Sequence, residues 1–283
     1  MAVIIPEVFA VGVNKAMTSA LRAGRIATDY TELVDDIRFC GNKVHFPVID
    51  RINGASVLSD GGSVTFQRVS MSDNAATIKH VTNGVEILDR ENVQIKAALK
   101  DAMAKQLGES LAQAVDSDIV SEILTNATYV DTVNSLDDAE VENAFVCFGD
   151  QRDAASMAGI LINSRLAPYF NNMDGFVSAT RTNTTSGNGV VVDGVLGYYS
   201  TIPVILSDNG TYTFTAGQNG GADSSVAELI IVKKGAVGVV WQKEPTIEEA
   251  RDIDKLGTKI AAQTLYAVKA VDLSGVSVVH VNL

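Results

Sequence analysis

The chain has 283 residues, of which 46% are hydrophobic and 20% charged, and its formal net charge at pH 7 is −12. This composition supports a sizeable core and excludes global disorder, and the acidic balance argues against a nucleic-acid-binding protein, which needs basic surface to neutralise phosphates. The acidic excess is uneven, because residues 125–225 hold eleven Asp or Glu and three Arg, a net charge of −8.

The sequence predicts neither export nor membrane insertion. Its two cysteines, Cys40 and Cys147, are far apart, which favours a reducing compartment over a disulfide framework. The first residues lack the basic start of a signal peptide, and no apolar run reaches the ~18 residues that span a bilayer. We therefore expect a cytoplasmic protein without a membrane partner.

Residues 1–42 begin with an apolar, extended stretch and then show helical periodicity over about 14–36. Leu21, Ile26 and Leu33 lie on the resulting broken apolar face. Such a helix packs on its own domain or reaches along a neighbouring copy as an arm. The residues favour neither interpretation.

Residues 43–82 predict a long two-armed β-hairpin. Polar and apolar residues alternate in KVHFPVID (43–50) and in SVTFQRVSM (63–71), and the turn signal SDGG (59–62) lies between them. Few large apolar residues are present, and a lone hairpin of this size is marginally stable in water. We therefore expect the hairpin to lie on another subunit. The predicted contact residues are Arg51, Asp60, Gly61, Gly62 and Arg68.

Residues 84–124 give the strongest helix prediction, because they are rich in Ala, Lys, Glu, Gln and Leu. Apolar residues recur every four positions, at Ile95, Leu99, Met103, Leu107, Leu111, Val115, Ile119 and Ile123. Each step of four drifts about 40° around a 3.6-residue helix, so the apolar stripe winds around the axis. We expect the two ends of the helix to contact different elements. A buried helix in an ordinary α+β enzyme is the alternative.

Residues 125–225 predict a mixed segment of helices and strands. Asp137 precedes a short helix, GILIN (159–163) is a buried strand, and Ser164 caps a helix that runs through Tyr169. A strand pair follows in GVLGYYSTIPVILSD (194–208). Stretches rich in Gly, Ser, Thr and Asn predict loops at 178–192 and 209–225.

The last part of the chain is rich in predicted strands, at 227–233, 236–243, 246–254, 258–271 and 276–281. Charges of both signs interleave near the end of the third of these strands, at Glu248, Glu249, Arg251, Asp252, Asp254 and Lys255. This pattern is typical of an intersubunit salt-bridge ladder. An ordinary exposed strand explains it equally well.

The sequence holds no recognisable catalytic motif, such as a phosphate-binding loop, a zinc-protease helix or a serine-nucleophile elbow. His45, His80 and His280 are far apart in strand-like contexts, although His45 and His80 flank the hairpin and leave a two-histidine metal site open as an alternative. Adjacent acids such as Glu248 and Glu249 point to opposite faces of a strand and do not share a proton. We predict no enzyme activity, no cofactor and no metal.

The order of the last elements carries a family resemblance. The strand pair at 194–208 is followed by AELIIVKKGAVGVVWQ (227–242), a charged segment (243–272) and SGVSVVHV (274–281). This succession resembles the C-terminal half of the major capsid proteins of tailed bacteriophages, which have the Hong Kong 97-type shell fold. Thr201 stands where the family's G-x-x-G-I-P-V pattern commonly has glycine.

The resemblance implies an α+β fold and a division of the chain into parts with known roles. These are an N-terminal arm (1–42), an extended β-hairpin loop with the start of the peripheral domain (43–83), the spine helix of that domain (84–130), an axial domain (131–225), and return strands with the peripheral sheet (226–283).

The resemblance also implies a structural function, in which pentamers and hexamers of the chain form an icosahedral shell around double-stranded DNA without binding it specifically. The shell would be assembled in the bacterial cytoplasm and become part of the virion. A portal protein is the expected partner, with scaffolding and decoration proteins as further candidates. No leader with coiled-coil periodicity precedes the hairpin, so we expect no fused scaffold domain. The alternative is an encapsulin-type nanocompartment that holds a cargo enzyme.

Some members of this family join a lysine on the distal part of the loop to an asparagine of another subunit. Here no lysine lies between Lys43 and Lys79, and arginine stays protonated and cannot act as a nucleophile. We therefore expect a shell held by non-covalent contacts alone.

Overall fold

The computed structural model describes residues 6–33, 41–49, 71–90, 98–150, 155–178, 194–215 and 224–283, together with Val57, Asp60, Ser63, Val64, Phe66 and Arg68. The α-helices in these ranges are α1 (Pro6–Ala20), α2 (Ala98–Asn126), α3 (Asp138–Val146) and α4 (Ala167–Asn171). Within the same ranges, no helix has the length and hydropathy of a membrane span.

The described strands are β1 (Thr28–Asp29), β2 (Lys43–Ile49), β3 (Met71–Thr77), β4 (Lys79–Leu88), β5 (Tyr129–Val133), β6 (Met157–Ile162), β7 (Phe176–Ser178), β8 (Val195–Tyr199), β9 (Ile202–Leu206), β10 (Tyr212–Thr215), β11 (Ser224–Lys233), β12 (Val237–Asp252), β13 (Gly257–Ala270) and β14 (Val276–Asn282). They form a four-stranded sheet in the order β1-β12-β13-β4, an eight-stranded sheet in the order β5-β14-β11-β6-β9-β8-β7 with β10 beside β11, and a two-stranded sheet of β2 and β3. The protein is thus α+β, as predicted.

Helix α2 begins at Ala98, so the prediction of a helix from residue 84 was wrong at its start. Residues 79–88 instead form β4, which pairs antiparallel with β13 over ten residues. Val81, Val85 and Ile87 are β-branched and suit a strand, and β13 supplies the hydrogen-bonding partner. The pairing partner lies about 170 residues away in the chain, beyond the reach of a local helix pattern.

The winding apolar stripe of α2 is confirmed over the described side chains. Its members Leu107, Leu111, Val115, Ile119 and Ile123 are all fully buried or nearly so. Leu107 packs with Ile87 and Ile260 of the four-stranded sheet. The following members pack in a core that includes Ile230 and Val278 of the eight-stranded sheet. One helix, about 44 Å long at 1.5 Å per residue over its 29 residues, therefore contacts both sheets, as its drifting stripe predicted.

The N-terminal helix lies at Pro6–Ala20, so the prediction of a helix over 14–36 was right for residues 14–20 and wrong for residues 21–33, while residues 34–36 lie outside the described residues. A 3-10 turn, Ala23–Arg25, and strand β1 follow instead. The chain turns there because the buried carboxylate of Asp116 in α2 accepts the backbone N–H groups of Arg22 at 2.8 Å and Gly24 at 3.0 Å. Helix α1 packs on α2 of its own chain, with Val13 buried between them. Of the two interpretations left open, the described residues show the packed helix.

The predicted hairpin exists, but its second arm is shifted. Strand β2 pairs with β3 at residues 71–77, whereas the alternating pattern placed this arm at 63–71. The register is fixed by burial, because Val44 and Phe46 pack against Val240 and Ala267 of the same chain. The base of the hairpin therefore lies on its own subunit, contrary to the expectation that the whole excursion lies on another.

The strands predicted at 236–243 and 246–254 form one long strand, β12 (Val237–Asp252). Its register against β13 shifts between Trp241 and Thr246, a stretch that contains Pro245. Proline cannot donate to the ladder and is found at such irregularities. The gap between the two predicted strands therefore corresponds to a bulge inside β12.

The middle segment follows the predicted order with small differences. The Asp137 side chain accepts the backbone N–H of Glu140 and caps α3, as predicted. The cap of the turn before α4 is Asn163, whose side chain accepts from the Arg165 N–H, so the assignment to Ser164 was wrong. Part of the loop predicted at 209–225 is strand β10, and most of the loop predicted at 178–192 lies outside the described residues.

Candidate assembly surfaces

The distal hairpin presents apolar and charged side chains to solvent. Asp60 and Arg68 are both exposed, while Arg51, Gly61 and Gly62 lie outside the described residues. Phe66 is 91% exposed and Val64 is 60% exposed. Large apolar side chains this accessible lower solubility unless another surface covers them. The alternation in SVTFQRVSM carried this signal, although the contact residues predicted from the sequence include Arg68 and not Phe66.

The charged residues at the end of β12 have partners within the chain. Two guanidinium nitrogens of Arg251 bind the carboxylate of Asp89 at 2.6 and 2.5 Å. These hydrogen bonds hold the pKa of Asp89 below its usual range. The Lys259 ammonium lies 2.6 Å from Asp252, and its hydrogen bond lowers the pKa of that carboxyl in the same way.

The other members of the predicted ladder are also held within the chain or exposed. The Lys255 ammonium lies 3.6 Å from Glu86, and Glu248 accepts a hydrogen bond from Gln263 at 2.8 Å. The backbone N–H of Asp254 donates to Asp252, and the Glu249 side chain is exposed. These contacts favour a self-contained strand surface, and the intersubunit ladder stays a prediction.

Two apolar side chains lie in the turn between β12 and β13, beyond these ion pairs. Ile253 is 77% exposed and Leu256 is 61% exposed. Leu256 has a φ of 49°, a left-handed conformation that is strained for a leucine. Only the charged residues were predicted to form contacts in this segment, because two apolar residues among six charged ones give no periodic signal.

Two histidines, His80 and His280, are held in side-chain hydrogen bonds. His280 Nδ1 lies 2.5 Å from Glu228 Oε2, directly across the pair of strands β11 and β14. Burial raises the pKa of Glu228, and the adjacent His280 opposes that rise. His80 Nε2 lies 2.9 Å from Gln263 Oε1. Among the described residues, no group of three or more His, Cys, Asp or Glu is arranged to hold a metal ion.

Asp116 joins three parts of the molecule through one buried carboxylate. Besides the turn at residues 22–24, it accepts a hydrogen bond from the Asn209 amide at 3.4 Å, in the loop after β9. Burial raises the pKa of Asp116, although the backbone N–H groups of Arg22 and Gly24 act against that rise. Asp116 was not among the residues predicted from the sequence, because an acidic residue on a long helix usually marks its solvated face.

Comparisons with known proteins identify the fold. No family model and no curated relative matches the sequence. Among solved structures, "Mycobacterium phage Che8" is similar with a TM-score of 0.62 and 18% identity, covering 90% of this chain and 89% of that one. The capsid of Ralstonia phage GP4 is similar with a TM-score of 0.68 and 12% identity, covering 90% and 87%. A virus-like particle from Pyrococcus furiosus is similar with a TM-score of 0.59 and 12% identity, covering 98% of this chain and 100% of that one.

These likenesses cover 90% of the chain, while the identities are too low to show more than architecture. The mixed sheets around one long helix thus agree with the resemblance drawn from the order of the last strands. The chain has the shell fold of the major capsid proteins of tailed bacteriophages.

Proposed function

We propose that this protein is the major capsid protein of a tailed bacteriophage and assembles into the icosahedral shell around its double-stranded DNA. The observation that carries the proposal is the likeness to phage capsid structures over 85–92% of the chain.

Two features of the chain suit a shell. The distal hairpin exposes Phe66 and Val64, which gain free energy when a neighbour covers them. The net charge of −12 disfavours tight binding to DNA, so the genome can be packed and released. A repeating shell distributes its assembly energy over many modest interfaces, so no single strong site is required.

The proposed assembly uses copies of the chain as pentamers and hexamers. A portal protein would occupy one vertex, and scaffolding and decoration proteins are further candidate partners. Assembly would take place in the cytoplasm of the bacterial host, and the mature protein would be part of the virion. In this arrangement the four-stranded sheet and α2 form the peripheral domain, and the eight-stranded sheet forms most of the axial domain.

Microscopy of the purified protein tests the proposal. Expressed protein should elute as capsomers or shells in size-exclusion chromatography, and negative-stain images should show closed icosahedral particles. Particles isolated from infected cells should protect double-stranded DNA from nuclease. A monodisperse, well-folded monomer at all concentrations would contradict the proposal.

The second candidate function is a nanocompartment shell. The observation behind it is the likeness to a virus-like particle from Pyrococcus furiosus, which covers 98% of this chain and all of that one at a TM-score of 0.59. Such a shell would enclose a cargo protein in place of a genome. Mass spectrometry and nuclease treatment of purified particles separate the two, because a nanocompartment would carry a second protein and no protected DNA.

A further inference from the structure

Two surfaces with complementary chemistry face solvent at different places on the molecule. One is the distal hairpin strip, formed by Val64, Phe66 and Arg68. The other is the α1/β12 cavity, a surface cavity of about 320 Å³ between α1 and β12. We propose that the hairpin strip of one copy binds the α1/β12 cavity of a neighbouring copy, with Phe66 inside and Arg68 at the acidic rim. This inference rests on the proposed function, since it names the contact through which copies would join.

The α1/β12 cavity is suited to an aromatic side chain. Met17, Leu21 and Trp241 line it. Its volume exceeds the space that a phenyl ring requires, and its wall is formed by side chains that pack against the core beneath. An aromatic ring entering there would exchange water for apolar contacts, the usual basis of an interface anchor.

The rim of the cavity carries negative charge without a cationic partner. Asp29 and Glu244 both line the cavity and are both exposed. Glu244 forms no ion pair with any residue that the structure describes, and the same holds for Arg68. A carboxylate and a guanidinium that lack partners within one chain can pair across two chains, where a planar bidentate contact fixes orientation.

A buried acceptor in the cavity also lacks a partner. The Oδ1 atom of Asn14, a residue that lines the cavity, is buried and accepts no hydrogen bond within the described part of the chain. Such an atom costs free energy unless a donor reaches it. A guanidinium or a backbone N–H from an inserted strand would supply that donor.

The spacing of the hairpin strip matches this arrangement. Val64, Phe66 and Arg68 alternate along the chain, so in an extended segment their side chains lie on one face, about 7 Å apart. Phe66 would then enter between Met17 and Trp241 while Arg68 reaches the rim at Glu244. The high exposure of Phe66 in the isolated subunit is the cost that such an insertion relieves.

The base of the hairpin leads away from the cavity of its own copy. The contacts run in order along β12: Gly41 accepts from Gln242, Phe46 lies against Gly238, and Asn74 donates to Ala270, which pairs with Val237. The hairpin therefore leaves β12 at its first residue, Val237, on the side of Trp241 that faces away from Glu244. Phe66 lies eight residues before Asn74, a span of up to about 26 Å of extended chain. A contact with a second copy joins two different surfaces of the chain, and such a contact builds a ring when it is head-to-tail and its rotation closes.

A charge exchange tests the contact in the full chain. We expect Arg68→Glu and Glu244→Arg each to lower the yield of assembled particles about tenfold, because each leaves like charges facing across the contact. The double variant R68E/E244R should restore assembly. The control is R68E/E249R, which reverses another exposed acid on β12 and should not restore it. Circular dichroism melts should be unchanged in all four, since these side chains are exposed.

An engineered disulfide between the hairpin strip and the α1/β12 cavity tests the same contact and does not require closed shells to form. Arg68→Cys with Glu244→Cys, in a Cys40→Ser and Cys147→Ser background and oxidised with copper phenanthroline, should give a reducible ladder of multimers on a denaturing gel. A ladder supports the contact even if only small oligomers form. Wild-type shells combined with no ladder and no rescue by R68E/E244R would overturn the contact and leave the proposed function standing. Absence of wild-type assembly would instead count against the proposed function, and the ladder would still decide the contact.

Discussion

Gly108 of α2 lies directly against the backbone of Val13 in α1. A Cβ atom at position 108 would be 2.5 Å from the Val13 carbonyl oxygen and 2.8 Å from the Ala16 Cβ atom. No real side chain tolerates such contacts without movement, so the two helices owe their close crossing to this glycine. The packing of the N-terminal helix on its own chain depends on it.

Gly108→Ala should therefore lower the free energy of unfolding by about 1–3 kcal/mol through overpacking, although alanine is the better helix former. The control is Gly12→Ala in α1, where the new Cβ would lie 3.7 Å from the Ala104 Cβ, an ordinary contact. That variant should gain up to about 1 kcal/mol from helix propensity. Urea unfolding of unassembled protein measures both, and equal stability of the two variants would contradict the close crossing.

Thr201→Gly should stabilise the protein. Ser200 and Thr201 form the two-residue turn between β8 and β9, with φ angles of 45° and 72°. A β-branched residue pays about 1 kcal/mol or more in this left-handed region, which glycine adopts freely. We expect a gain of about 0.5–1 kcal/mol in unfolding free energy. The control is Thr213→Gly in the exposed strand β10, which should instead lower the free energy of unfolding. A loss of stability in both variants would argue against this turn.

The contribution of Asp116 to the stability of the fold should decrease as the pH rises. Burial raises its folded pKa above the unfolded value of about 3.9. Between these two pKa values the folded state binds more protons than the unfolded state. The contribution of Asp116 to the free energy of unfolding is therefore full below about pH 4 and falls as the pH increases to the folded pKa.

The comparison for this prediction is Asp116→Asn, which cannot titrate. The stability advantage of wild type over the variant, measured by urea unfolding from pH 3.5 upward, should shrink with rising pH and then level off. The variant should still be the less stable protein at low pH, because its amide group would face the Arg22 N–H, donor against donor. An advantage that grows with pH would contradict the assigned burial.

Replacing residues 53–70 with a short Gly/Ser linker should separate folding from assembly. The paired base of the hairpin, with Phe46 buried, lies outside the deletion. We expect a cooperative thermal melt and no closed shells. Phe46→Ala is the comparison, and it should lower stability by about 3–5 kcal/mol because it empties a buried site. Shells of normal size from the deletion variant would show that the distal hairpin is not the intersubunit element.

Particles boiled in detergent should run as a single band near 29.9 kDa. No lysine lies between Lys43 and Lys79, and the Lys79 ammonium is held 2.8 Å from the Asp118 carboxylate of its own chain. A ladder of covalent multimers that survives reducing agent would overturn this prediction. Lys43→Arg and Lys79→Arg would then identify the nucleophile.

Local pattern alone was sufficient for the elements whose interactions are close in sequence. The four-residue recurrence from Leu107 to Ile123 predicted a long helix with a winding buried stripe, since side chains four apart lie on nearly the same face of a helix. The Asp137 cap needed only Glu140, three residues away. The order of the last strands was enough to indicate a capsid fold.

The tertiary structure decided everything that depends on a distant partner. Residues 84–88 became a strand because β13 pairs with them, and the second arm of the hairpin moved to 71–77 because Val44 and Phe46 are buried on β12 and β13. The charges of Arg251 and Asp252 are satisfied by Asp89 and Lys259, which no sequence spacing reveals. Pairing across a sheet joins residues far apart in the chain, so a one-dimensional pattern shows which residues can pair and only the folded chain selects which do.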